Sequence, residues 1–329
     1  MKRKRILSGM QPSGQLHLGN YFGALKNWVV LQDEFECFYF IADWHSLTTL
    51  YEDPHLINRY VFEVAVDWLS SGLDPEKCTL FVQSRIPEHA ELHLILSMMV
   101  PVPWLERNPT YKEKQDEVKN VDMSSFGFLG YPILQTADIV LYKAHFVPVG
   151  IDQAPHLELS REIIRRFNNL YKKKVFIEPV AKISEIPKLN GTDGRKMSKS
   201  YDNAIYLSDS EKQITKKVRS MLTDPARGRR GDPGDPKVCN LFPLHKIYSP
   251  QPMQEEIDSA CRKAEIGCGD CKTKLASTML EGMRPNMERR REVASKPKEV
   301  EEILCAGTEK ARKVAAATLQ EAKTAMKIA

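Results

Sequence analysis

The fold is decided by residues 4–29, which read KRILSGMQPSGQLHLGNYFGALKNWV. Residues 4–8 are predicted to form a short buried strand, and Gly9 begins a loop that contains Pro12 and Gly14. From about His17 onward, apolar residues recur at intervals of three and four, which indicates an amphipathic helix. The shared face of that helix is formed by Leu18, Tyr21, Phe22, Leu25, Trp28 and Val29. A strand, a tight loop and a helix in this order predict the start of an α/β domain.

The same alternation continues along the chain. Residues 37–42 and 79–82 are apolar runs of strand length, and the amphipathic helix between them extends from about Leu56 to Leu69, before Gly72. Strand, helix, strand, helix, strand predicts a doubly wound, Rossmann-like parallel sheet that binds a nucleotide. Ligands of such sheets bind at the carboxyl ends of the strands, so the loops after the strands are the expected location of the chemistry.

Beyond about residue 205 the character of the sequence changes. Strand signals fade, residues 224–237 form a basic loop rich in glycine and proline, and residues from 256 onward are helical in character. The sequence therefore predicts two domains, a Rossmann-like domain at residues 1–204 and an all-helical domain at residues 205–329.

Composition excludes several classes of protein. The 329 residues carry 48 Lys and Arg against 43 Asp and Glu, and a net charge of +5 is too small to identify a partner. The richest apolar run, residues 94–105, is short and contains Pro101 and Pro103, so we expect no membrane span. With no signal-peptide pattern we expect a cytoplasmic protein, in which seven cysteines do not form structural disulfides.

Two loops carry candidate chemistry. The first reads Gln11-Pro-Ser-Gly-Gln-Leu-His17-Leu-Gly19-Asn20, at a predicted helix start that attracts phosphate. The second reads Arg195-Lys-Met-Ser-Lys-Ser200 and follows a glycine-hinged stretch, so its two lysines can neutralise a transferring phosphoryl group. Either motif alone is compatible with an ordinary helix start or a solvated run of charge.

Together the two motifs are the joint signature of class I aminoacyl-tRNA synthetases, and the chain resembles the bacterial-type tryptophanyl-tRNA synthetases over essentially its whole length. Three further stretches support that branch: Ala42-Asp-Trp-His45, Tyr131-Pro-Ile-Leu-Gln-Thr-Ala-Asp138 and Val147-Pro-Val-Gly-Ile-Asp-Gln153. The resemblance implies a homodimer with a Rossmann-like ATP domain and a helical anticodon-binding domain. It also implies L-tryptophan, ATP with Mg²⁺ and tRNA(Trp) as substrates.

The resemblance implies a set of nucleotide-binding residues. His17, Lys196 and Lys199 are expected to act in catalysis, the two lysines by stabilising the pentacovalent phosphorus. Lys112 and Lys114 are further candidates for the phosphates, with an exposed helix face as the alternative. The remaining residues expected to bind ATP are Gln11, Pro12, Ser13, Gly19, Asn20, Gly150, Ile151, Asp152, Ile186, Met197, Ser198 and Ser200.

Amino-acid selection is expected to depend on Asp138. An indole N–H is a donor only, so a buried carboxylate is its natural acceptor. The alternative is that Asp138 caps a helix. Around it, the resemblance implies that Tyr131, Gln135 and Gln153 bind the ammonium group and flank the pocket, and that His45 lines it.

Three other functions remain open from the sequence. Tyr131, Gln135 and Asp138 also match the pattern by which related tyrosyl enzymes bind their amino acid, so tyrosine activation is the alternative within the class. A tRNA-binding paralogue without activation would be expected to have lost motif residues, which are intact here. An unrelated nucleotidyltransferase would leave the helical domain unexplained.

Four cysteines are concentrated in the predicted helical domain. Cys239, Cys261, Cys268 and Cys271 are separated by 21, 6 and 2 residues, and small residues surround the last pair. The alternative to metal binding is four buried core thiols. Structural zinc more often uses two close pairs, whereas this spacing resembles that of a subset of tryptophanyl enzymes with a [4Fe–4S] cluster. We predict a [4Fe–4S] cluster of structural role, with zinc as the alternative and the other three cysteines outside the site.

Overall fold

The computed structural model describes residues 3–108, 125–150, 154–183 and 189–328. The chain divides into two compact units, each built from separate stretches of sequence. The first unit comprises Met1–Gly14, Asn27–Glu185 and Lys296–Ala329. The second comprises Gln15–Lys26 and Ile186–Ser295.

A parallel sheet forms the centre of the first unit. Its strands are β1 (Arg5–Met10), β2 (Glu36–Ile41), β3 (Cys78–Val82), β4 (Phe146–Val149) and β5 (Val180–Ile183). They lie in the order β3-β2-β1-β4-β5, with Ile6 opposite both Cys37 and Phe146. The three strands predicted from the sequence are confirmed with shifts of one or two residues. Because the chain order reverses between β1 and β4, the crevice at their carboxyl ends is the expected ligand site.

Helices cover this sheet and make up the second unit. The helices of the first unit are α2 (Lys26–Glu34), α3 (Asp43–Leu50), α4 (Ile57–Ser70), α5 (Glu88–Ser97), α6 (Val102–Glu106), α7 (Phe126–Leu141), α8 (Ala154–Leu170) and α13 (Pro297–Met326). Those of the second unit are α1 (Leu18–Asn20), α9 (Glu211–Ser220), α10 (Phe242–Tyr248), α11 (Gln251–Arg262) and α12 (Cys268–Ala294). The described residues from 189 onward contain no strand beyond isolated bridges, as the sequence predicted.

The helix predicted from His17 is not continuous. A π-helical turn, Tyr21–Leu25, separates α1 from α2, because the Lys26 N–H reaches back five residues to the carbonyl of Tyr21. Single π turns of this kind are often found at functional sites.

The core of the first unit is apolar and aromatic. The residues buried on both faces of the sheet include Leu7, Phe38, Phe81, Ile139 and Phe167, each no more than 3% exposed. Continuous apolar strands are expected where helices cover both faces of a parallel sheet. This rigid sheet therefore provides fixed positions for the loops at its carboxyl edge.

The last helix, α13, packs in the first unit. Ala311, Ala315, Leu319 and Ala322 belong to the same apolar core as the sheet, and α13 contacts β3, the strand at the edge. The compact units thus group residues 296–329 with the sheet, whereas the sequence grouped them with the helical region. The division into a Rossmann-like domain at residues 1–204 and a helical domain at residues 205–329 stays a prediction.

Among the described residues, no helix has the length and apolar character needed to cross a lipid bilayer.

Candidate active site

His17 caps the helix that follows it in the second unit. Its Nδ1 accepts a hydrogen bond from the backbone N–H of Asn20 (3.3 Å), and its own N–H donates to Oδ1 of Asn20 (3.1 Å). The flanking backbone is pinned by a bond from the Leu18 N–H to the carbonyl of Ile205 (2.9 Å). The His-x-Gly-Asn motif is therefore a capping box, which holds the imidazole in one orientation.

The His17 ring is held neutral with its Nε2 hydrogen available. Nδ1 is an acceptor, so the hydrogen of the neutral ring resides on Nε2. Burial, and secondly the charge of Lys199, lower the pKa of His17 to about 4. A Cβ on Gly19 would lie 2.9 Å from the ring, so glycine is needed there for this close approach. The ring is thus prepared to donate one hydrogen bond to a phosphate oxygen.

The loop with the Lys-Met-Ser-Lys-Ser motif is also in the second unit. Gly194 makes its turn with φ of +81°, which favours glycine, and an isolated bridge joins Asn190 to Lys196. Asn203 organises the loop by accepting from the Ser198 N–H (2.8 Å) and donating to the carbonyl of Lys196 (3.1 Å). Met197 is buried beneath it, whereas Lys196 is exposed.

The two motifs meet within that unit. Lys199 is close enough to His17 for its charge to depress the imidazole pKa, and the Cβ of Met197 approaches the backbone of Gly19. Ser198 accepts from the N–H of Ser200 (3.3 Å), which starts the short 3₁₀ turn Lys199–Tyr201. A donor and a cation are therefore brought together, as expected for a phosphate site.

Other predicted nucleotide-binding residues lie in the first unit. Gln11, Pro12 and Ser13 follow β1, and Gly150 follows β4, so both stretches are at the carboxyl edge where the strand order reverses. This is the predicted location. Six candidates lie outside the described residues: Lys112, Lys114, Ile151, Asp152, Gln153 and Ile186.

Asp138 lies in the interior of α7 and is 1% exposed. The helix-cap alternative is wrong, because Ser125 is the N-cap of that helix and Tyr142 follows its last residue. Tyr131, Gln135 and Asp138 are spaced by four and three residues, so they share one face of the helix. The structure thus brings these three predicted residues onto one surface.

Three donors surround the Asp138 carboxylate. Oδ1 is bonded to Nε2 of Gln83 (2.8 Å) and to Nδ1 of His89 (2.6 Å). Oδ2 is bonded to Nε2 of His45 (2.8 Å). Burial acts to raise the pKa of Asp138, but the bonds and charges of His45 and His89 outweigh it and lower the pKa to about 2. The carboxylate is therefore ionised although it is fully buried.

His45 belongs to α3 and contacts Asp138 directly, and its place in the tryptophan pocket stays a prediction. Tyr131 is half-buried, and its hydroxyl is 3.3 Å from Nε2 of His156 on α8. His156 is in turn bonded through Nδ1 to Asn108 (3.0 Å). These contacts fix the position of the Tyr131 hydroxyl.

The sequence did not identify Gln83, His89 or Tyr142 as parts of this site. Two signals were available. Gln83 directly follows β3, at the edge where ligands of parallel sheets bind, and Tyr142 follows Asp138 by one helical turn. Nothing in the spacing of His89 indicated that it would reach Asp138.

The four clustered cysteines lie in the second unit. Cys268 and Cys271 stand one turn apart at the start of α12, Cys261 is on α11, and Cys239 precedes α10. Burial and then the charges of Cys239, Cys261 and Cys268 raise the pKa of Cys271 to about 12. Yet no group of three or more potential ligand side chains in the described ranges is arranged to hold a metal ion. Cys37, Cys78 and Cys305 lie in the first unit.

The sheet order, the capping His-x-Gly-Asn loop and the Lys-Met-Ser-Lys-Ser loop define a nucleotide-binding α/β enzyme with class I synthetase motifs. A family model described as tRNA synthetases class I (W and Y) matches residues 1–282. The tryptophan–tRNA ligase of Thermotoga maritima is 50% identical over 98% of this chain and 99% of its own length. That of Aquifex aeolicus is 42% identical over 98% of this chain and 100% of its own.

A solved structure agrees. The tryptophanyl-tRNA synthetase of Campylobacter jejuni, complexed with ADP and tryptophan, superposes with a TM-score of 0.89 at 37% identity, over 98% of this chain and 99% of that one. The chain belongs to the class I tRNA synthetases, and within them to the bacterial-type tryptophanyl-tRNA synthetases.

Proposed function

We propose that the protein joins L-tryptophan to tRNA(Trp) in two steps. The tryptophan carboxylate attacks the α-phosphorus of Mg-ATP, forming tryptophanyl-adenylate and releasing pyrophosphate. A terminal ribose hydroxyl of the tRNA then attacks the activated carbonyl and releases AMP. The observation that carries the proposal is the buried, ionised Asp138 on the same helix face as Tyr131 and Gln135, in a chain 50% identical to a tryptophan–tRNA ligase.

Neither step requires a covalent enzyme intermediate, so positioning and charge stabilisation provide the acceleration. The neutral His17 donates from Nε2 to a phosphate oxygen, and Lys196 and Lys199 stabilise the charge on the α-phosphorus as it becomes pentacovalent. Support comes from the capping box that orients His17 and from the nearness of Lys199 to its ring. Gly19 and Asn20 position the ring.

The remaining nucleotide contacts follow the sequence prediction. Gln11, Pro12, Ser13 and Gly150 bind ATP from the carboxyl edge of β1 and β4, and Met197, Ser198 and Ser200 form the second loop around it. Ile151 and Asp152 bind the ribose, and Ile186 touches the adenine. Support comes from the strand reversal at β1 and β4.

Tryptophan is selected by Asp138, which accepts the hydrogen bond of the indole N–H. His45 lines the pocket while it orients that carboxylate, and Tyr131, Gln135 and Gln153 bind the ammonium group and flank the ring. A pocket that supplies an acceptor rejects phenylalanine, because phenylalanine would leave the buried carboxylate without its last partner.

The test is amino-acid-dependent exchange of labelled pyrophosphate into ATP, with the twenty amino acids compared. We expect strong exchange with L-tryptophan, little with tyrosine and none with phenylalanine. Exchange with tyrosine equal to or above that with tryptophan would overturn the proposal. Aminoacylation of tRNA(Trp), compared with tRNA(Tyr), tests the second step in the same way.

We infer further that Cys239, Cys261, Cys268 and Cys271 hold a [4Fe–4S] cluster in an anticodon-binding region, with zinc as the alternative. The support is the chemistry of the donors: four half-buried thiols lie in one unit, and Cys268 and Cys271 share a face of α12. The absence of a side chain at Gly234 lets the backbone approach Cys261 closely, since a Cβ there would be 2.7 Å from its sulfur. The bound group would brace the loops before α10 and α12, and it would take no part in the reaction.

Anaerobic purification followed by iron, sulfide and zinc analysis tests this site. We expect four iron and four sulfide per chain and a brown protein, and the Cys268→Ser variant should lose them. A colourless protein with one zinc would exclude the cluster and keep the site, whereas the absence of both metals would exclude the site. Cys305→Ser, at the exposed cysteine of the first unit, is the matched control.

We also infer a homodimer that acts in the cytoplasm. Three large apolar side chains of the first unit are exposed close together in sequence: Leu94 (56%) on α5, Met98 (76%) directly after α5, and Val102 (51%) at the start of α6. Leu94 and Met98 are one turn apart and share a face. Large exposed apolar side chains of this kind favour a second copy of the chain as their partner.

A further inference from the structure

The hydrogen bonds around Asp138 occupy most of the acceptor sites of its carboxylate. A carboxylate offers about four acceptor sites, two on each oxygen. Gln83 and His89 fill both sites of Oδ1, and His45 fills one of Oδ2. Among the described residues no further donor reaches it, so one site on Oδ2 is left open.

His89 connects Asp138 to a second buried group. Its Nδ1 bonds to Oδ1 of Asp138 (2.6 Å), and its Nε2 lies 2.7 Å from the hydroxyl of Tyr142. The ring is 0% exposed and stands in an aromatic layer with Phe40 and Phe81, at centroid distances of 6.2 and 6.3 Å. It therefore has no room to turn.

Both ring nitrogens of His89 are bonded, and the direction of the bond to Asp138 follows from the hydrogens present. Burial raises the pKa of Tyr142 well above its usual value, so its hydroxyl keeps one hydrogen. An ionised carboxylate can only accept, so Nδ1 of His89 donates to it. At the other end of the ring, Nε2 is bonded to the hydroxyl of Tyr142. Bonds at both ends of the ring therefore link Tyr142 through His89 to Asp138.

We propose that His89 and Tyr142 are positioning residues for tryptophan selection: they fix Asp138 so that a single acceptor site on Oδ2 remains for a donor-only indole N–H. The inference rests on the proposed function of Asp138 as the indole acceptor. The same arrangement of donors would also lead the site to reject tyrosine. The N–H donors of Gln83, His89 and His45 that face Asp138 are all committed to it, so they offer nothing to the lone pairs of a phenolic oxygen.

The test compares two ligands that differ in one group. L-Tryptophan carries the indole N–H, and β-(3-benzothienyl)alanine has a sulfur in its place and no donor. Dissociation constants for both are measured by calorimetry on the full chain and its variants. A residue that acts through the Asp138 acceptor changes the affinity for tryptophan alone, whereas a residue that only supports the fold changes both.

We expect His89→Phe, which keeps the ring and removes both bonds, to weaken tryptophan binding by about 10-fold or more and analogue binding by less than about 2-fold. His89→Asn, which loses the ring but retains a donor near Nδ1, should restore part of the loss. If packing alone mattered, the order of these two variants would be reversed. That reversal, or equal losses for both ligands, would overturn the proposal.

Tyr142→Phe removes a single oxygen and provides the variant that is expected to fold. It should weaken tryptophan binding about 3- to 10-fold and leave the analogue unchanged, because a bond to an uncharged donor is the weaker kind. The matched control is Tyr39→Phe, since Tyr39 is equally buried and its hydroxyl donates to the carbonyl of Trp28 (3.2 Å). That control should change neither dissociation constant.

The Asp138→Asn variant distinguishes failure of the positioning role from failure of the proposed role of Asp138 as indole acceptor. If that variant weakens both ligands equally, Asp138 is not the indole acceptor and the proposed selection mechanism fails. If Asp138→Asn weakens the binding of tryptophan selectively while His89→Phe and Tyr142→Phe do not, Asp138 is still the indole acceptor. The positioning role of His89 and Tyr142 is then overturned.

Discussion

Asp138 is a buried charge that is stabilised by its donors. An unpaired carboxylate in such an interior would become protonated, and here burial alone would raise its pKa. The bonds from His45 and His89 reverse that effect. The site therefore keeps an acceptor-only group where an uncharged acid would present a hydrogen to the ligand.

Asp138→Asn is expected to lower the affinity for tryptophan about 10-fold or more without unfolding the protein. The amide carbonyl can accept from Gln83 and His89 on one side, which turns the –NH₂ group toward His45 and toward the ligand. Two donors then face one another, and charge assistance is lost. Calorimetry with tryptophan measures the loss, and thermal unfolding checks the fold. Unchanged affinity and unchanged discrimination against phenylalanine would contradict the role.

The charge of Lys199 affects the His17 imidazole, and Lys199 also has a proposed role of its own in catalysis. Lys199→Ala should slow adenylate formation about 100-fold or more, with nearly unchanged tryptophan affinity, because its contact tightens in the transition state. Rapid-quench measurement of adenylate gives the rate. The exposed Lys212 of the second unit provides the control Lys212→Ala, which should leave the rate unchanged. A parallel loss of tryptophan affinity would argue against this role for Lys199.

The same substitution tests the electrostatics of His17. Removing the Lys199 charge should raise the pKa of His17 from about 4 toward its ordinary value. The rise should be partial, because burial is the larger cause. Since the imidazole of the native protein is neutral above pH 5, protonation of His17 should not limit activity between pH 6 and 8. An NMR titration of the ring measures the shift.

Among the elements, α13 is attached to the sheet by close packing more than by charge. Among the described residues, four ion pairs join it to the rest of the first unit, including Arg85–Glu301 (2.6 Å) and Lys323–Glu91 (2.9 Å). Surface pairs of this kind contribute about 0–1 kcal/mol each. The closer contact is at Gly307, where an added Cβ would overlap the carbonyl oxygen of Leu80 in β3.

Gly307→Ala is therefore expected to destabilise the protein by about 2 kcal/mol or more, although alanine is the better helix former. A backbone carbonyl within a sheet cannot move aside as a side chain can. Thermal and urea unfolding measure the effect. Gly127→Ala, in α7, is the control, because a Cβ there meets no atom within 4 Å, and it should be neutral or slightly stabilising. Equal stability of the two variants would show that α13 packs elsewhere.

At the scale of the whole molecule, the exposed apolar surface of α5 and α6 predicts self-association. Met98→Lys places a charge at the most exposed of its side chains and should shift the protein toward monomer in analytical ultracentrifugation at micromolar concentration. Val30→Lys, at an apolar residue of α2 that is 57% exposed, should leave the assembly unchanged. If the unsubstituted protein sediments as a monomer, or if both variants dissociate equally, this surface is not the interface.

Much of the architecture was readable from local sequence. The strands at residues 4–8, 37–42 and 79–82 were predicted to within two residues, because period and side-chain type determine which short segments are buried on both faces. The loop after the first of them carries His17 for the same reason: parallel strands fix where their loops emerge. The motif at residues 195–200 was identified by its residues and its glycine hinge.

Tertiary structure alone decided which of these elements pack together. Hydrophobic periodicity shows that α13 has a buried face. It does not show that this face packs against β3, which lies more than 200 residues earlier in the sequence. It likewise gives no sign that residues 15–26 join the second unit. Asp138 was recognised from a motif, but its ionisation depends on donors from α3, the turn after β3 and α5. Sequence determined the groups that perform the chemistry, and long-range packing determined their charge and direction, because burial and hydrogen bonding are properties of the assembled neighbours.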